Sequence, residues 1–219
     1  MTSKEINCEP LTEYDVYQVT KLLRGMKFHI GGARAGFTAI RDLCSLSLEA
    51  DSPMYITVAK DARKQIVGVV LGVRDYHRFW LKYYFDHPFI FPRVAVSKVF
   101  SLTKKIKNRK KYSAEMLSES DINIPYKGKS LWTVKDDKTV HILLIIVDNS
   151  HRHKKIGQRL YSSFTDHLKQ TGIKRVIARI GFANAASIKL HQKAGWQVYG
   201  VKRYVEALFE LDDKSSAPT

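Results

Sequence analysis

The fold of this chain is decided by the stretch HILLIIVDNSHRHKKIG, residues 141–157. After its histidine, residues 142–147 are leucines and β-branched residues, a composition typical of a central strand buried on both faces. A polar turn and a basic loop at 151–155 follow, and a helix then runs to a terminating Gly172. Because the first turn of a helix has free N–H groups and the positive end of its dipole, this arrangement predicts an anion-binding site.

The residues before this stretch predict a strand near Ile6 and a first helix capped by Thr12. A glycine-rich segment leads into a second amphipathic helix over 37–48. Two strands, 54–59 and 65–73, are joined by a polar turn and predict a hairpin. The first third of the chain is therefore typical of an α+β domain.

The residues after the helix continue the mixed pattern. They predict a strand over 175–180, a short helix over 185–194 capped by Asn184, and final strands over 196–199 and 204–211. The fold class expected is mixed α/β (α+β), with a central twisted mixed sheet flanked by helices in three layers.

Composition narrows the class of protein and its compartment. The chain has 219 residues, 44% of them hydrophobic, and 37 Lys and Arg against 21 Asp and Glu, a formal net charge of +16. Such a charge predicts an anionic partner. Cys8 and Cys44 supply no disulfide framework. The start of the chain has no apolar signal segment, and no apolar run is long enough to span a membrane, so we expect a cytoplasmic protein.

Two segments of the sequence together resemble the GNAT superfamily of acetyl-CoA-dependent N-acetyltransferases. The basic loop aligns with the family's cofactor loop as Arg152-x-x-Lys155-x-Gly157, with lysine in place of the first glycine. A later element of the family aligns over thirteen residues at seven positions: Asn184, Ser187, Leu190, His191, Lys193, Gly195 and Trp196. The resemblance is clear over 140–199, compatible with 1–74, and absent between them.

The resemblance implies acetyl-CoA as co-substrate, no metal, and direct attack of an acceptor amine on the thioester. The pantetheine arm would pair along the central strand, the pyrophosphate would lie on the basic loop, and Gly157 would let the backbone approach it. The residues predicted to bind the cofactor are Ile145, Ile146, Val147, Arg152, His153, Lys154, Lys155, Ile156, Gly157, Gln158, Asn184 and Ser187.

The same resemblance suggests two catalytic histidines. His191 stands where many members have a tyrosine that protonates the leaving thiolate, and an imidazole of near-neutral pKa suits that role. The alternative for His191 is packing or hydrogen bonding on its helix. His141 stands where several relatives carry a glutamate that acts on the acceptor amine, directly or through water. The alternative for His141 is an exposed residue at the entrance of a strand.

Residues from about 75 to 138 break the pattern and predict a helical, basic insertion in a single domain spanning 1–219. Residues 75–111 carry ten Lys and Arg against two Asp, a net +8, and nine of the 24 aromatic residues. This mixture suits peripheral contact with an anionic membrane or a phosphorylated carrier. By loose similarity to GNAT-like proteins of surface-polysaccharide assembly, the acceptor expected is an amino sugar. The alternative is a flap that packs its aromatic residues on the core and exposes its lysines.

Other functions stay open at this point. Among enzymes, the rival is a protein N-terminal or lysine acetyltransferase. A degenerate GNAT domain that binds its cofactor poorly is another interpretation, because Lys155 replaces a glycine. The alternative of another class is a non-catalytic nucleic-acid- or membrane-binding module, although the chain has no recognised nucleic-acid motif. A homodimer is compatible with the sequence.

Overall fold

The chain folds around one large sheet with helices on both faces. We describe its structure from a computed structural model. The residues that it describes are 6–25, 29–30, 33–34, 37–86, 124–125, 127, 130–133, 136–182, 184–201 and 204–211.

The first part of the chain forms five strands and three helices. The strands are β1 (Asn7–Pro10), β2 (His29–Ile30), β3 (Ala33–Arg34), β4 (Met54–Lys60) and β5 (Ile66–Arg74). The helices are α1 (Val16–Gly25), α2 (Phe37–Leu46) and α3 (Tyr76–Asp86). The Asp15 carboxylate accepts hydrogen bonds from the Thr12 backbone N–H at 3.0 Å and from its hydroxyl at 2.7 Å. Thr12 thereby starts a 3-10 turn, Glu13–Asp15, that leads into α1, rather than capping α1 directly.

The second part adds four strands and two helices. They are β6 (Thr139–Val147), α4 (Ile156–Gln170), β7 (Arg175–Ile180), α5 (Ala185–Lys193), β8 (Gln197–Val201) and β9 (Tyr204–Glu210). Gly172 and Gly195 have φ of 75° and 80°, the left-handed conformation that ends α4 and α5. These elements confirm the order predicted from the sequence.

Seven strands form the sheet, in the order β1-β4-β5-β6-β7-β9-β8. All neighbours are antiparallel except β6 and β7, which are parallel. α4 and α5 pack on one face with the core residues Leu160, Phe164 and Ile188. α1, α2 and α3 cover β4 and β5 on the other face, which confirms the predicted layers of helix, mixed sheet and helix.

A bulge divides β6 into two halves. Leu71 of β5 pairs with Leu144, but Gly72 pairs with Ile142, so Leu143 is an extra residue in β6. Residues 139–142 are buried, whereas 143–147 are only partly buried. The expectation of a strand fully buried on both faces therefore holds for the first half only.

β6 and β7 separate just after this bulge. Their parallel pairing runs from Thr139 with Arg175 to Ile142 with Ala178, and no pair follows. Within the described residues, β6 thus has no partner strand on this side from Leu143 onward, and a gap opens between the two strands.

The described ends of the predicted insertion pack on the domain. Phe79 and Tyr83 of α3 are each 3% exposed, within the core under α1 and α2. We call residues 124–138 the strap. Gly200 of β8 donates its N–H to the Pro125 carbonyl and accepts the Lys127 N–H, each at 2.8 Å, and Asp136 pairs with Arg175 of β7.

Much of the basic and aromatic segment lies outside the described residues. Residues 87–111 of the predicted contact surface at 75–111 fall there, as does the rest of the insertion up to residue 123. Among the helices that the structure describes, none is long and apolar enough to cross a membrane.

Candidate functional site

The basic loop between β6 and α4 has a tightly folded backbone. The Asp148 carboxylate accepts the Ser150 N–H at 2.9 Å, and hydrogen bonds from Ser150 lower the pKa of Asp148. His153 and Lys155 have φ of 63° and 59°, the left-handed region. That region costs a residue with a side chain roughly 1–2 kcal/mol. Lys155 therefore adopts the conformation that suits glycine at the position where the GNAT pattern has one.

Lys155→Gly is expected to raise the free energy of unfolding by ~1 kcal/mol, because glycine adopts this backbone without steric strain. Lys155→Ala is the matched control, since it removes the charge and keeps the strain. Denaturant unfolding of both variants measures the difference. Equal stability of the two variants would contradict the strain.

Gly157 lies in the first turn of α4 and faces the interior. A Cβ added there would lie 3.2 Å from Cδ2 of Leu190 in α5 and 3.9 Å from Cδ1 of Ile145 in β6. Its lack of a side chain lets α4 approach α5 and the second half of β6. The predicted approach of a pyrophosphate to the backbone at Gly157 stays a prediction. The neighbouring Ile156 side chain is 2% exposed and belongs to the core.

α5 brings the second predicted segment beside the loop. Asn184 caps this helix, because its side-chain oxygen accepts the Ser187 N–H at 3.1 Å. Leu190 on the same helix contacts Gly157, as described above. The structure therefore brings together the start of α4, the second half of β6 and α5, which carry the predicted cofactor-binding residues.

His191 is buried, and both of its ring nitrogens are engaged. Nδ1 lies 2.7 Å from the Ser187 carbonyl, which only accepts, so Nδ1 carries the proton. Nε2 lies 2.6 Å from the Tyr161 hydroxyl and accepts its proton. Burial lowers the pKa of His191 to about 4, which corrects the near-neutral pKa expected from sequence. This geometry offers no N–H to a leaving thiolate, and it favours the alternative of hydrogen bonding and packing.

His141 lies on the opposite face of the sheet and is fully buried, which corrects the alternative of an exposed histidine. Its ring centroid is 4.8 Å from that of Trp132 in the strap and 5.8 Å from that of Tyr76 in α3. Neither ring nitrogen has a hydrogen-bond partner in the part of the chain that the structure describes. Burial, chiefly, lowers the pKa of His141 to about 4, so the ring is neutral at pH 7.

An ion pair beside His141 was not predicted from the sequence. Arg179 of β7 lies directly opposite Glu206 of β9, and its Nη2 donates to Glu206 Oε1 and to Ser130 Oγ, each at 3.0 Å. Glu206 is fully buried and also accepts hydrogen bonds from the Ser130 hydroxyl and the Leu131 N–H. The sequence contained one signal for this ion pair: Arg179 and Glu206 each stand between apolar residues of a predicted strand.

Among the described residues, no group of three His, Cys, Asp or Glu side chains is placed to hold a metal ion.

Comparison with known proteins finds similarity to one family of enzymes. Residues 123–196 match the family model described as the acetyltransferase (GNAT) family. A phosphinothricin N-acetyltransferase from Streptomyces viridochromogenes is 32% identical over 83 residues, which cover 36% of this chain and 40% of that protein. The match therefore spans well under two thirds of that relative's length.

Solved structures with the same fold cover nearly the whole chain. An acetyl-CoA complex of a protein described as an acetyltransferase from Salmonella typhimurium has a TM-score of 0.57 at 14% identity and covers 98% of both chains. A spermidine N-acetyltransferase from Vibrio cholerae has a TM-score of 0.56 at 10% identity and covers 97% of this chain and 99% of its own. At these identities the likeness is one of fold.

Proposed function

We propose, on the premise that this chain carries a GNAT acetyltransferase domain, that it transfers an acetyl group from acetyl-CoA to a primary amine. The observation that carries the proposal is the gap between β6 and β7, which opens directly before the basic loop and the start of α4. Strand backbone without a partner and free N–H groups at a helix start suit a ligand with amides and phosphates.

The residues around the gap fit such a co-substrate. On the side away from β5, Ile145 and Ile146 have no partner strand among the described residues, so this partly buried edge suits an extended pantetheine arm. The Val147 carbonyl at its end accepts a hydrogen bond from Arg152 Nε at 3.4 Å. Arg152, His153, Lys154 and Lys155 surround the start of α4, where Gly157 and Gln158 lie in its first turn, and their charge suits a pyrophosphate. Bound there, acetyl-CoA supplies an activated acetyl thioester.

The chemical step needs an unprotonated amine. Its nitrogen forms a bond to the carbonyl carbon as the carbon–sulfur bond breaks, and the amine loses a proton while the thiolate gains one. We assign proton acceptance from the amine to His141, because its imidazole is neutral and both nitrogens are without partners. We assign His191 to positioning, since Tyr161 and Ser187 occupy its nitrogens.

The acceptor class is less constrained than the reaction. The relatives that match are, by their descriptions, acetyltransferases of phosphinothricin and of spermidine, both amines. They lend no support to the amino sugar expected from sequence, which stays a prediction, as do contact with an anionic membrane or phosphorylated carrier and a cytoplasmic location.

Titration calorimetry with acetyl-CoA and with CoA tests the proposal, and we expect saturable binding with a Kd of about 1–100 μM. Arg152→Ala is expected to weaken binding about tenfold, because it removes a charge-assisted phosphate contact. Lys169→Ala is the matched control, since it removes an exposed cation from the other end of α4. Absence of binding by the unaltered protein would refute the proposal.

A further inference from the structure

The side chain of Arg179 is fixed by its neighbours at the start of the gap between β6 and β7. It is the first residue of β7 beyond Ala178, where pairing with β6 ends. Its guanidinium carbon lies 4.6 Å from the ring centroid of Trp132 and 5.0 Å from that of Tyr204. Two aromatic faces and the Glu206 carboxylate therefore fix the plane of this side chain.

Much of the hydrogen-bonding capacity of Arg179 is unused. A guanidinium has five N–H donors, and among the described residues only those on Nη2 have partners, Ser130 and Glu206. Nε is buried without a partner, while the side chain as a whole keeps 27% of its surface exposed. A buried cationic donor without a partner costs free energy that an anionic ligand or a water molecule would recover.

The neighbours of Arg179 leave this cation available to an anion. Glu206, its counter-ion, is fully buried and already accepts three hydrogen bonds, from Ser130, Leu131 and Arg179. His141 lies on the same face of the sheet, and the charge of Arg179 contributes to lowering its pKa. Arg179 and His141 both contact the ring of Trp132 on this face.

We propose that Arg179 recognises an anionic group on the acceptor, so that the substrate is an amine that also carries a carboxylate or a similar oxyanion. This inference rests on the acetyltransfer proposed above and specifies its substrate class. A compact acceptor of the amino-acid type would place its amine toward the gap near His141 and its anion on Arg179.

A cationic acceptor is the rival that the structure itself suggests. A cavity of about 770 Å³ is lined by five carboxylates, among them Asp42, Asp51 and Asp137. It also contains Arg74, which pairs with Val140 near the start of β6, whereas Arg179 lies past the end of the β6–β7 pairing. The cavity is therefore at the other end of β6 from the gap. A polyamine that approaches the gap is repelled by Arg179.

To test the inference, acetyl transfer is measured with L-amino acids, with their carboxamides and with 1,4-diaminobutane. Release of the CoA thiol is the signal. We expect the acids to exceed their amides about 10- to 100-fold in kcat/KM, chiefly through KM. Arg179→Gln should lower kcat/KM for the acids about 10- to 100-fold and so abolish that preference, and Arg179→Lys should restore part of it. If Arg179 has a purely structural role, its substitution would lower kcat/KM equally for the acids and for the amides.

Two variants keep the test interpretable. Arg175→Gln removes a cation from the same strand, where it pairs with Asp136, and should preserve the preference for acids. If Arg179→Gln does not fold because Glu206 loses its counter-ion, Arg179→Gln with Glu206→Gln removes both charges.

The outcomes separate the two proposals. Failure to bind acetyl-CoA overturns the proposed function and the inference with it. Acetyl-CoA binding with equal rates on acids and amides, with preference for the diamine, or with no turnover of any acid, overturns the inference alone.

Discussion

Gly72→Ala is expected to lower the free energy of unfolding by about 2–3 kcal/mol, because it overpacks the core. A Cβ at this position would lie 2.7 Å from Cγ1 of Val140 and 2.8 Å from Cζ of Phe164. Both neighbours are fully buried, so neither moves away without disturbing the packing of α4 on the sheet. Denaturant unfolding followed by circular dichroism measures the loss.

Gly25→Ala provides the matched control for this substitution. A Cβ at Gly25 meets nothing within 4 Å, so we expect a change within about 0.5 kcal/mol. Val140→Ala combined with Gly72→Ala should cost less than the sum of the single changes, because it removes one clashing methyl group. A Gly72→Ala protein as stable as its parent would show that β5 and α4 are not packed this closely.

The stability of the protein is expected to fall steeply between pH 6.5 and pH 4. Burial lowers the pKa of both His141 and His191 from 6.5 to about 4 in the folded protein. Because these folded values lie below the unfolded one, their stabilising effect is complete above pH 6.5 and is lost as the pH falls through 4. The loss amounts to ~3 kcal/mol for each histidine.

Phenylalanine variants at the two positions separate the contributions. Each should flatten the dependence of unfolding free energy on pH by about half. At pH 7, His141→Phe should be neutral or stabilising, because neither nitrogen of His141 has a partner. His191→Phe should cost about 1–3 kcal/mol, since it leaves the buried Tyr161 hydroxyl without its acceptor. Unchanged pH dependence in both variants would be incompatible with buried, neutral histidines.

The order of helices and strands followed from local signals in the sequence. The apolar run at 141–147 marked a central strand, and Asn184 and Gly195 marked the ends of α5. Such signals depend on residues within one turn or one strand of each other, so a single sequence contains them.

The features at the gap depend on contacts between distant segments. The bulge at Leu143 is invisible in a uniformly apolar run, because its side chains do not alternate in polarity. Arg179, Glu206 and Ser130 meet only once β7, β9 and the strap are assembled, as their hydrogen bonds span 27 to 76 residues of chain. The burial of His141 depends likewise on Trp132 and Tyr76.

The pairing of the strap with Gly200 bears on how this protein behaves at high concentration. β8 is the last strand of the sheet, and an open edge strand is a template for aggregation between copies. Here the backbone of Gly200 forms hydrogen bonds with the backbones of Pro125 and Lys127 of the same chain. At the other edge, β1 has only four residues and ends in Pro10, which donates no backbone hydrogen bond. Both edges are thus protected against strand addition between copies.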